Sequence, residues 1–213
     1  MYNIVIVTDE DSWISSYALS LREALREKGH KVSWIHNFDR EHSYDIVFML
    51  SYSKIVSAKM LALNKHNLVV HESALPQGKG WSPLSWQILE GKSHFPITLF
   101  EATEQVDAGK IYLQRELVFE GTELVNELRH IQGQATVDIC IEFISKYPSV
   151  LRDAQEQVGE ESFYPRRRPI DSQLDANKTI SEQFDLLRIV DNNKYPAWFE
   201  HRGKKYVIKI EHM

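Results

Sequence analysis

Cysteine is nearly absent: Cys140 is the only one in 213 residues. No internal disulfide can form and a thiolate metal cluster is excluded by count, so a reducing, cytoplasmic setting is the expectation. Long apolar runs are missing as well. None approaches the roughly 18 residues that a membrane span needs. The opening Met1-Tyr2-Asn3-Ile4-Val5-Ile6-Val7 has no basic stretch ahead of its apolar residues, so neither a membrane anchor nor a targeting signal is expected. Positive charge is in deficit, with 25 Lys and Arg against 30 Asp and Glu and a net charge of -5. No global field therefore favours a polyanion, and nucleic acid is not an expected partner. The nine histidines fall in no ligand-like spacing, so no metal site is expected.

What remains is ordinary globular material: 43% hydrophobic and 26% charged residues support one buried core with a small appendage. Ile4 to Val7 reads as a buried strand. Ser16 to Lys28 reads as an amphipathic helix with Leu19, Leu21, Ala24 and Leu25 on one face, ended by Gly29. Apolar runs at Lys31 to Ile35 and Asp45 to Leu50, a polar helix from Val56 to Lys65, and a strand from Leu68 to His71 continue the alternation. That pattern predicts an α/β fold, a mostly parallel open sheet with helices on both faces. Pro83 to Glu90 reads as a helix, Ile97 to Ala102 and Lys110 to Leu117 as strands, and Glu123 to Lys146 as a long helix stopped near Pro148. Phe163-Tyr164-Pro165-Arg166-Arg167-Arg168-Pro169 breaks any helix. The expected organisation is a main α/β domain over 1–150 and an α+β appendage over 151–213 packed on it. In the appendage, Ser181 to Val190 should be helical, and Ala197 to Glu200 should pair with Tyr206 to Ile210 across Arg202-Gly203.

His71 ends an apolar strand and hands over to Glu72-Ser73-Ala74-Leu75-Pro76-Gln77-Gly78-Lys79-Gly80-Trp81-Ser82-Pro83. In open α/β sheets ligands bind at that carboxyl edge. A histidine there often does no more than satisfy loop backbone, and Asp107, before Ala108-Gly109, has the ordinary turn role of accepting N–H groups. Together they offer a base and a carboxylate for acid–base chemistry.

The ordered set His71-x-Ser73-x-Leu75-Pro76, Gly80, Pro83, Gly91, Thr98 and Val106-Asp107-Ala108-Gly109-Lys110-Ile111 resembles the signature of the 10-formyltetrahydrofolate-dependent formyltransferases. The likeness covers about residues 1–120, and Arg168-Pro169 with Asn192-Asn193-Lys194-Tyr195-Pro196-Ala197 resembles the end of the sugar N-formyltransferases. The resemblance implies attack of a primary amine on the formyl carbon of N10-formyltetrahydrofolate, the co-substrate. It implies that His71 hydrogen-bonds to the developing oxyanion, with Asp107 orienting His71 and helping to remove the amine proton. The pteridine would be read by backbone groups of Lys54, Ile55 and Val56 and of Ala102, Thr103, Glu104, Gln105 and Val106. Ser73, Lys79, Trp81 and Tyr195 would meet the acceptor, with Trp86 and Arg166 to Arg168 as further aromatic and cationic groups.

One position departs from the family pattern. Family members usually carry Asn two residues before the histidine, and here that residue is Val69, which cannot donate a hydrogen bond. Asn67, Ser73, Lys79 or a backbone N–H could replace it. Alternatively the chain is a folate or nucleotide-sugar binding module without activity, and hydrolysis of the formyl donor is a further enzymatic alternative. The loop Thr8-Asp9-Glu10-Asp11-Ser12-Trp13 is acidic and has no glycine, unlike the phosphate loop of the ribonucleotide enzymes, and the tail is shorter than the RNA-binding domain of the tRNA enzymes. The expected acceptor is a nucleotide-linked 4-amino-4,6-dideoxy sugar, of the type found in pseudaminic acid synthesis, and a homodimer is the expected assembly by resemblance.

Overall fold

The computed structural model describes residues 1–38 and 42–213. Its centre is a six-stranded sheet. In chain order the elements begin with β1 (Asn3–Val7), α1 (Ser15–Glu27), β2 (Lys31–Ile35), β3 (Ile46–Met49), α2 (Ala58–Leu61) and β4 (His66–His71). They continue with β5 (Lys79–Gly80), α3 (Pro83–Leu89), β6 (His94–Glu101), β7 (Ile111–Val118) and α4 (Val125–Lys146), and end with β8 (Phe163–Tyr164), α5 (Phe184–Arg188), β9 (Ala197–His201) and β10 (Lys204–Ile208). The sheet order is β2-β1-β3-β4-β6-β7. The first four strands run parallel, and β6 pairs antiparallel with β4 and with β7. The sheet is thus mostly parallel, as the alternation implies, with one reversed strand beside β4.

Strand alternation sends Ile4, Ile6, Ile46, Phe48, Leu68 and Val70 into the larger core and Val5, Val7, Val47 and Met49 into a second cluster on the opposite face. The larger core is closed by α1, α3 and α4. On α1 the buried positions are Ala18, Leu21 and Leu25, while Leu19 is 41% exposed. The expected face of Leu19 with Leu21 is therefore wrong, because residues two apart on an α-helix point about 200° apart. Gly29 ends α1 at φ 82°, with His30 N–H donating to Leu25 O and Gly29 N–H to Arg26 O, the paired bonds that close a helix through a left-handed residue. On α4, Val137, Cys140 and Ile144 face the core, and burial pushes the Cys140 thiol up, so it serves as a small apolar residue. The helix stops as Tyr147 turns extended (ψ 135°) before Pro148.

The opposite face carries far less helix. The helix expected over Val56 to Lys65 is a single turn, Ala58–Leu61, which buries Leu61. Asn64 ends it by donating to Met60 O, and Lys65 N–H already bonds Tyr44 O as the chain enters β4. Those residues are consumed in reaching the register His66 to Ile46.

The tail reaches the larger core through Ile189 and otherwise forms a small cluster of its own with Leu174, Leu187, Val190 and Ala197. The helix expected from Ser181 to Val190 is a 3-10 turn (Ser181–Gln183) followed by α5, and the hairpin β9–β10 forms with Lys204 opposite His201. Arg188, 2% exposed, ties α5 to the start of α4: its guanidinium bonds the carboxylate and the carbonyl of Glu123. Glu123 in turn accepts the Gly121 N–H at 3.0 Å. Removing one partner of such a pair strands the other in a dry site. Arg188→Ala should therefore lose about 3–5 kcal/mol of stability, read as a lower urea midpoint at unchanged slope.

Candidate active site

The chain leaves β2 and crosses back over β1 to lay down β3, so the carboxyl ends of β1 and β3 flank the point where the winding reverses, the usual ligand crevice of an open sheet, with β4 next to β3. A cleft of about 500 Å³ opens there, lined among others by Asp9, Met49 to Ser53, His71, Glu72, Asp107 and, from the tail, Arg166 to Arg168 and Tyr195. Asp9 stabilises its wall by accepting the Ser53 N–H at 3.2 Å through Oδ2 and at 3.3 Å through Oδ1.

His71 is the last residue of β4, 6% exposed, with its ring edge-on to Phe100 at 6.5 Å between centroids. Its Nε2 lies 2.7 Å from the carbonyl oxygen of Gly78. A carbonyl only accepts, so Nε2 carries the proton and a neutral ring has its lone pair on Nδ1. The expected orientation of His71 by Asp107 is therefore replaced by orientation through a backbone carbonyl. Asp107 Oδ2 instead accepts the Gly80 N–H at 2.8 Å. The two side chains line one cleft, joined through the Gly78 to Gly80 segment.

Asp107 sits at φ 50°, in the left-handed region. Its turn is held from below by Gln157, whose Nε2 donates to Asp107 O and Gly109 O, both at 2.9 Å. The Gly78 to Trp81 segment is zipped onto the tail by Gly78 N–H to Ser162 Oγ (2.8 Å), Lys79 N–H to Ser162 O (2.9 Å) and Trp81 N–H to Tyr164 O (3.1 Å). Gly80 has φ 97°, and a Cβ there would sit 2.5 Å from Tyr164 O. The site is thus built by three stretches far apart in sequence.

Several expected ligands are engaged elsewhere. Lys79 is 2% exposed, with Nζ 2.6 Å from Glu161 Oε1 and 5.8 Å from the centre of the Phe163 ring, and does not line the cleft. Its place in β5 faces it toward the tail. Asn67 is also committed: its Nδ2 donates to Leu61 O at 3.0 Å and its Oδ1 accepts from Asn64. Neither is placed to replace the donor missing at Val69. Ser73 is 1% exposed beneath the loop, outside the cleft lining, and its Oγ is buried without a partner among the described residues.

Trp81 and Tyr195 do line the cleft, at 39% and 60% exposure. The guanidinium of Arg166 stands 4.8 Å above the Trp81 ring. Trp86 instead stacks on Tyr164 and donates to Pro165 O, so it is a brace. Arg167 donates to Asp171 O at 3.0 Å, and burial pulls its pKa down.

Lys54, Ile55 and Val56 and the stretch Ala102 to Val106 lie outside the cleft lining. Val56 and Ala102 nevertheless pack in the same cluster as Val69, on the second face beside β4, where Ile55 is 83% and Val106 50% exposed. Lys54 Nζ bonds Asn37 Oδ1 at 2.7 Å, Thr103 Oγ1 donates to Gln105 O, and Glu104 and Gln105 face solvent.

The residue that sequence reasoning passed over is Glu72. It is half-buried and lines the cleft, and burial pushes its carboxyl pKa up, against the lowering influence of His71 and of hydrogen bonding to Gln132. The signal was available, as a carboxylate next to the candidate histidine. Among the described residues no His, Cys, Asp or Glu cluster could hold a metal ion, and no helix is long and apolar enough to cross a membrane.

Comparison with known proteins bears on the family and the fold. The family described as Formyl transferase matches residues 6–138. Methionyl-tRNA formyltransferase of Thermodesulfovibrio yellowstonii is 25% identical over 145 residues, which is 68% of this chain and 47% of that protein. The chain thus spans about half the length of this curated relative. Methionyl-tRNA formyltransferase from Clostridium thermocellum superposes with a TM-score of 0.83 at 23% identity, covering 100% of this chain and 94% of that one. A sugar N-formyltransferase from a Shewanella species superposes with a TM-score of 0.73 at 15% identity, covering 99% and 98%.

Proposed function

The chain belongs to the formyl transferase family, and from that membership we propose that it moves a formyl group from N10-formyltetrahydrofolate to the amine of a nucleotide-linked 4-amino-4,6-dideoxy sugar. The observation that carries this reading is the cleft shared by His71 and Asp107, whose outer wall is aromatic and cationic. The folate supplies the formyl carbon. His71, with Nε2–H committed to Gly78, offers Nδ1 to the proton that the amine sheds on attack and can return it to the departing nitrogen. The imidazolium so formed is a hydrogen-bond donor at both nitrogens and can serve the oxyanion in place of a side chain at residue 69. Asp107 keeps the Gly78 to Gly80 segment in register through Gly80.

The apolar ledge of Val56, Ala102 and Val69, flanked by exposed Ile55 and Val106, suits a flat pteridine edge read by backbone groups. A sugar nucleotide is favoured over tRNA by the net charge of -5 and by the local character of the cations, three consecutive arginines at one rim. Arg166 and Arg168 would meet a pyrophosphate, and Trp81 and Tyr195 the base or sugar. Trp81→Ala should raise the KM of the acceptor about 10-fold, the order expected for a lost stacking platform, with kcat little changed.

Incubation with 10-formyltetrahydrofolate and a panel of UDP- and dTDP-linked 4-amino sugars tests the reading. Sugar-dependent release of tetrahydrofolate with a formamide product is expected. Release independent of sugar would make the chain a hydrolase, and donor binding without release would make it a binding module.

A further inference from the structure

We propose that Glu72 is the catalytic group that meets the ammonium of the acceptor and takes its first proton, so that the amine reaches the formyl carbon neutral and nucleophilic. The inference rests on the formyl transfer proposed above. It starts from a carboxyl that lines the cleft beside His71 and, among the described residues, forms no salt bridge with a Lys or Arg. Glu72 directly follows His71 at the carboxyl end of β4 and lines the same cleft. Its backbone is fixed by Gln87, whose Nε2 donates to Glu72 O at 2.5 Å from a buried position on α3. Its side chain faces the amide of Gln132 on α4.

The adjacent His71 works to lower the Glu72 carboxyl, and the other charged groups of the cleft are paired, of like sign or held on the tail. Arg129, the cation of α4 in the cleft, is 2.9 Å from Asp191. Asp9, at the end of β1, is held by Ser53 N–H, and Asp107 is a second anion that itself works to raise Glu72. Arg166 lies over Trp81 and Arg167 bonds Asp171 O, while Arg168 lines the cleft from the tail. Lys79 is turned to Glu161. A partly enclosed carboxyl in a cleft, without a Lys or Arg partner, is the kind of group that a ligand's cation would balance.

The primary amine of the sugar arrives largely as that cation, since its pKa lies above neutrality although its neighbouring oxygens place it below that of lysine. Docking it beside Glu72 favours the carboxylate form, because an opposite charge lowers a carboxyl pKa. One proton then passes from R–NH3+ to the Glu72 carboxylate, giving R–NH2 and a neutral carboxyl. The amine lone pair forms the C–N bond to the formyl carbon. The second nitrogen proton goes to His71 and from there to the folate nitrogen as its bond to the formyl carbon breaks, and Glu72 returns the first proton to solvent. The products are a formamide, tetrahydrofolate and one H+. Discrimination follows from the same contact: a sugar bearing a hydroxyl at this position brings no charge for Glu72.

Glu72→Gln keeps the shape and removes the base. It should lower kcat/KM for the amino sugar about 100-fold or more at pH 7, in the range for loss of a general base. At least 10-fold of the loss should be regained by pH 9.5, where more of the acceptor is already neutral in solution. Glu72→Asp should keep part of the activity with the wild-type pH profile. The fold supplies an independent readout. The folded state binds the Glu72 proton more tightly than the unfolded state, so stability falls as pH rises from the ordinary glutamate range through the raised value. The Gln variant should therefore melt higher than wild type at pH 8, with the gap closing toward acid pH. A kcat/KM within 3-fold of wild type, or a loss unchanged across pH, overturns the role while leaving the proposed transfer standing. If the wild type transfers formyl to none of the amino sugar nucleotides, the proposed function falls, and the role of Glu72 falls with it.

Discussion

His71→Ala is expected to lose formyl transfer by about 100- to 10,000-fold, the range spanned by removal of a general base or an oxyanion donor, while remaining folded. The magnitude follows from how the ring is held. Gly78 O fixes the Nε2–H tautomer, so the neutral ring presents a base at Nδ1 and, once protonated, a donor. Alanine removes both capacities and no neighbour inherits them, since Lys79 and Asn67 are committed elsewhere. The structural cost is smaller. One carbonyl, Gly78 O, loses its partner, worth about 1–3 kcal/mol, against a typical domain stability of about 5–15 kcal/mol. Tetrahydrofolate release measured beside a urea unfolding curve separates the two effects. A folded variant that kept a tenth of wild-type turnover would remove His71 from the mechanism.

The pairing of His71 with Asp107 in one cleft was legible in the sequence, because both ends of the argument are local. His71 sits at a strand end before a Pro- and Gly-rich loop and Asp107 in a turn before Ala108-Gly109, and the ordered motif they share, rather than the strand alternation, joined them, since β6 leads to Asp107 antiparallel to β4. How they are connected was not legible. The linkage runs through the carbonyl of Gly78 and the amide of Gly80, and backbone groups leave no side-chain signature. The destination of Lys79 depends on Glu161, 82 residues away, and the support of the Asp107 turn depends on Gln157, 50 residues away. No periodicity reports such partners. Helix length failed for a different reason. Val56 to Lys65 has a helical composition, but the register of β4 against β3 claims its last residues, and tertiary pairing outweighs local propensity. Glu72 was visible as a letter but not as a half-buried acid lining the cleft. Its character comes from α3 and α4 closing around it, which only the fold reveals.

Gly109→Ala should cost both stability and activity, at a position that carries no chemistry of its own. The constraint is contact, not dihedral freedom. A Cβ on residue 109 would lie 1.7 Å from Glu101 O, 2.7 Å from Glu101 C and 3.2 Å from Thr103 Cγ2. The strand it meets cannot retreat. Glu101 N–H donates to Lys110 O at 2.9 Å, and its carboxylate holds Asn67 N–H at 2.6 Å, His66 Nδ1 at 3.1 Å and the Tyr112 hydroxyl at 2.9 Å. The turn must therefore move, and Asp107, two residues earlier, moves with it. That displacement breaks the Gly80 N–H bond and the two bonds from Gln157, which loosens the segment whose carbonyl orients His71. A loss of about 4 kcal/mol or more is expected, in the exceptional range that signals a named steric mechanism, with turnover lower than that of wild type even in the folded fraction. Gly29→Ala supplies the contrast. Nothing lies within 4 Å of a Cβ there, so only the strain of φ 82° remains, about 1–2 kcal/mol, with no effect on kcat. If Gly109→Ala kept the wild-type urea midpoint and turnover, the turn would have slack that this packing does not allow, and its role in holding Asp107 would be withdrawn.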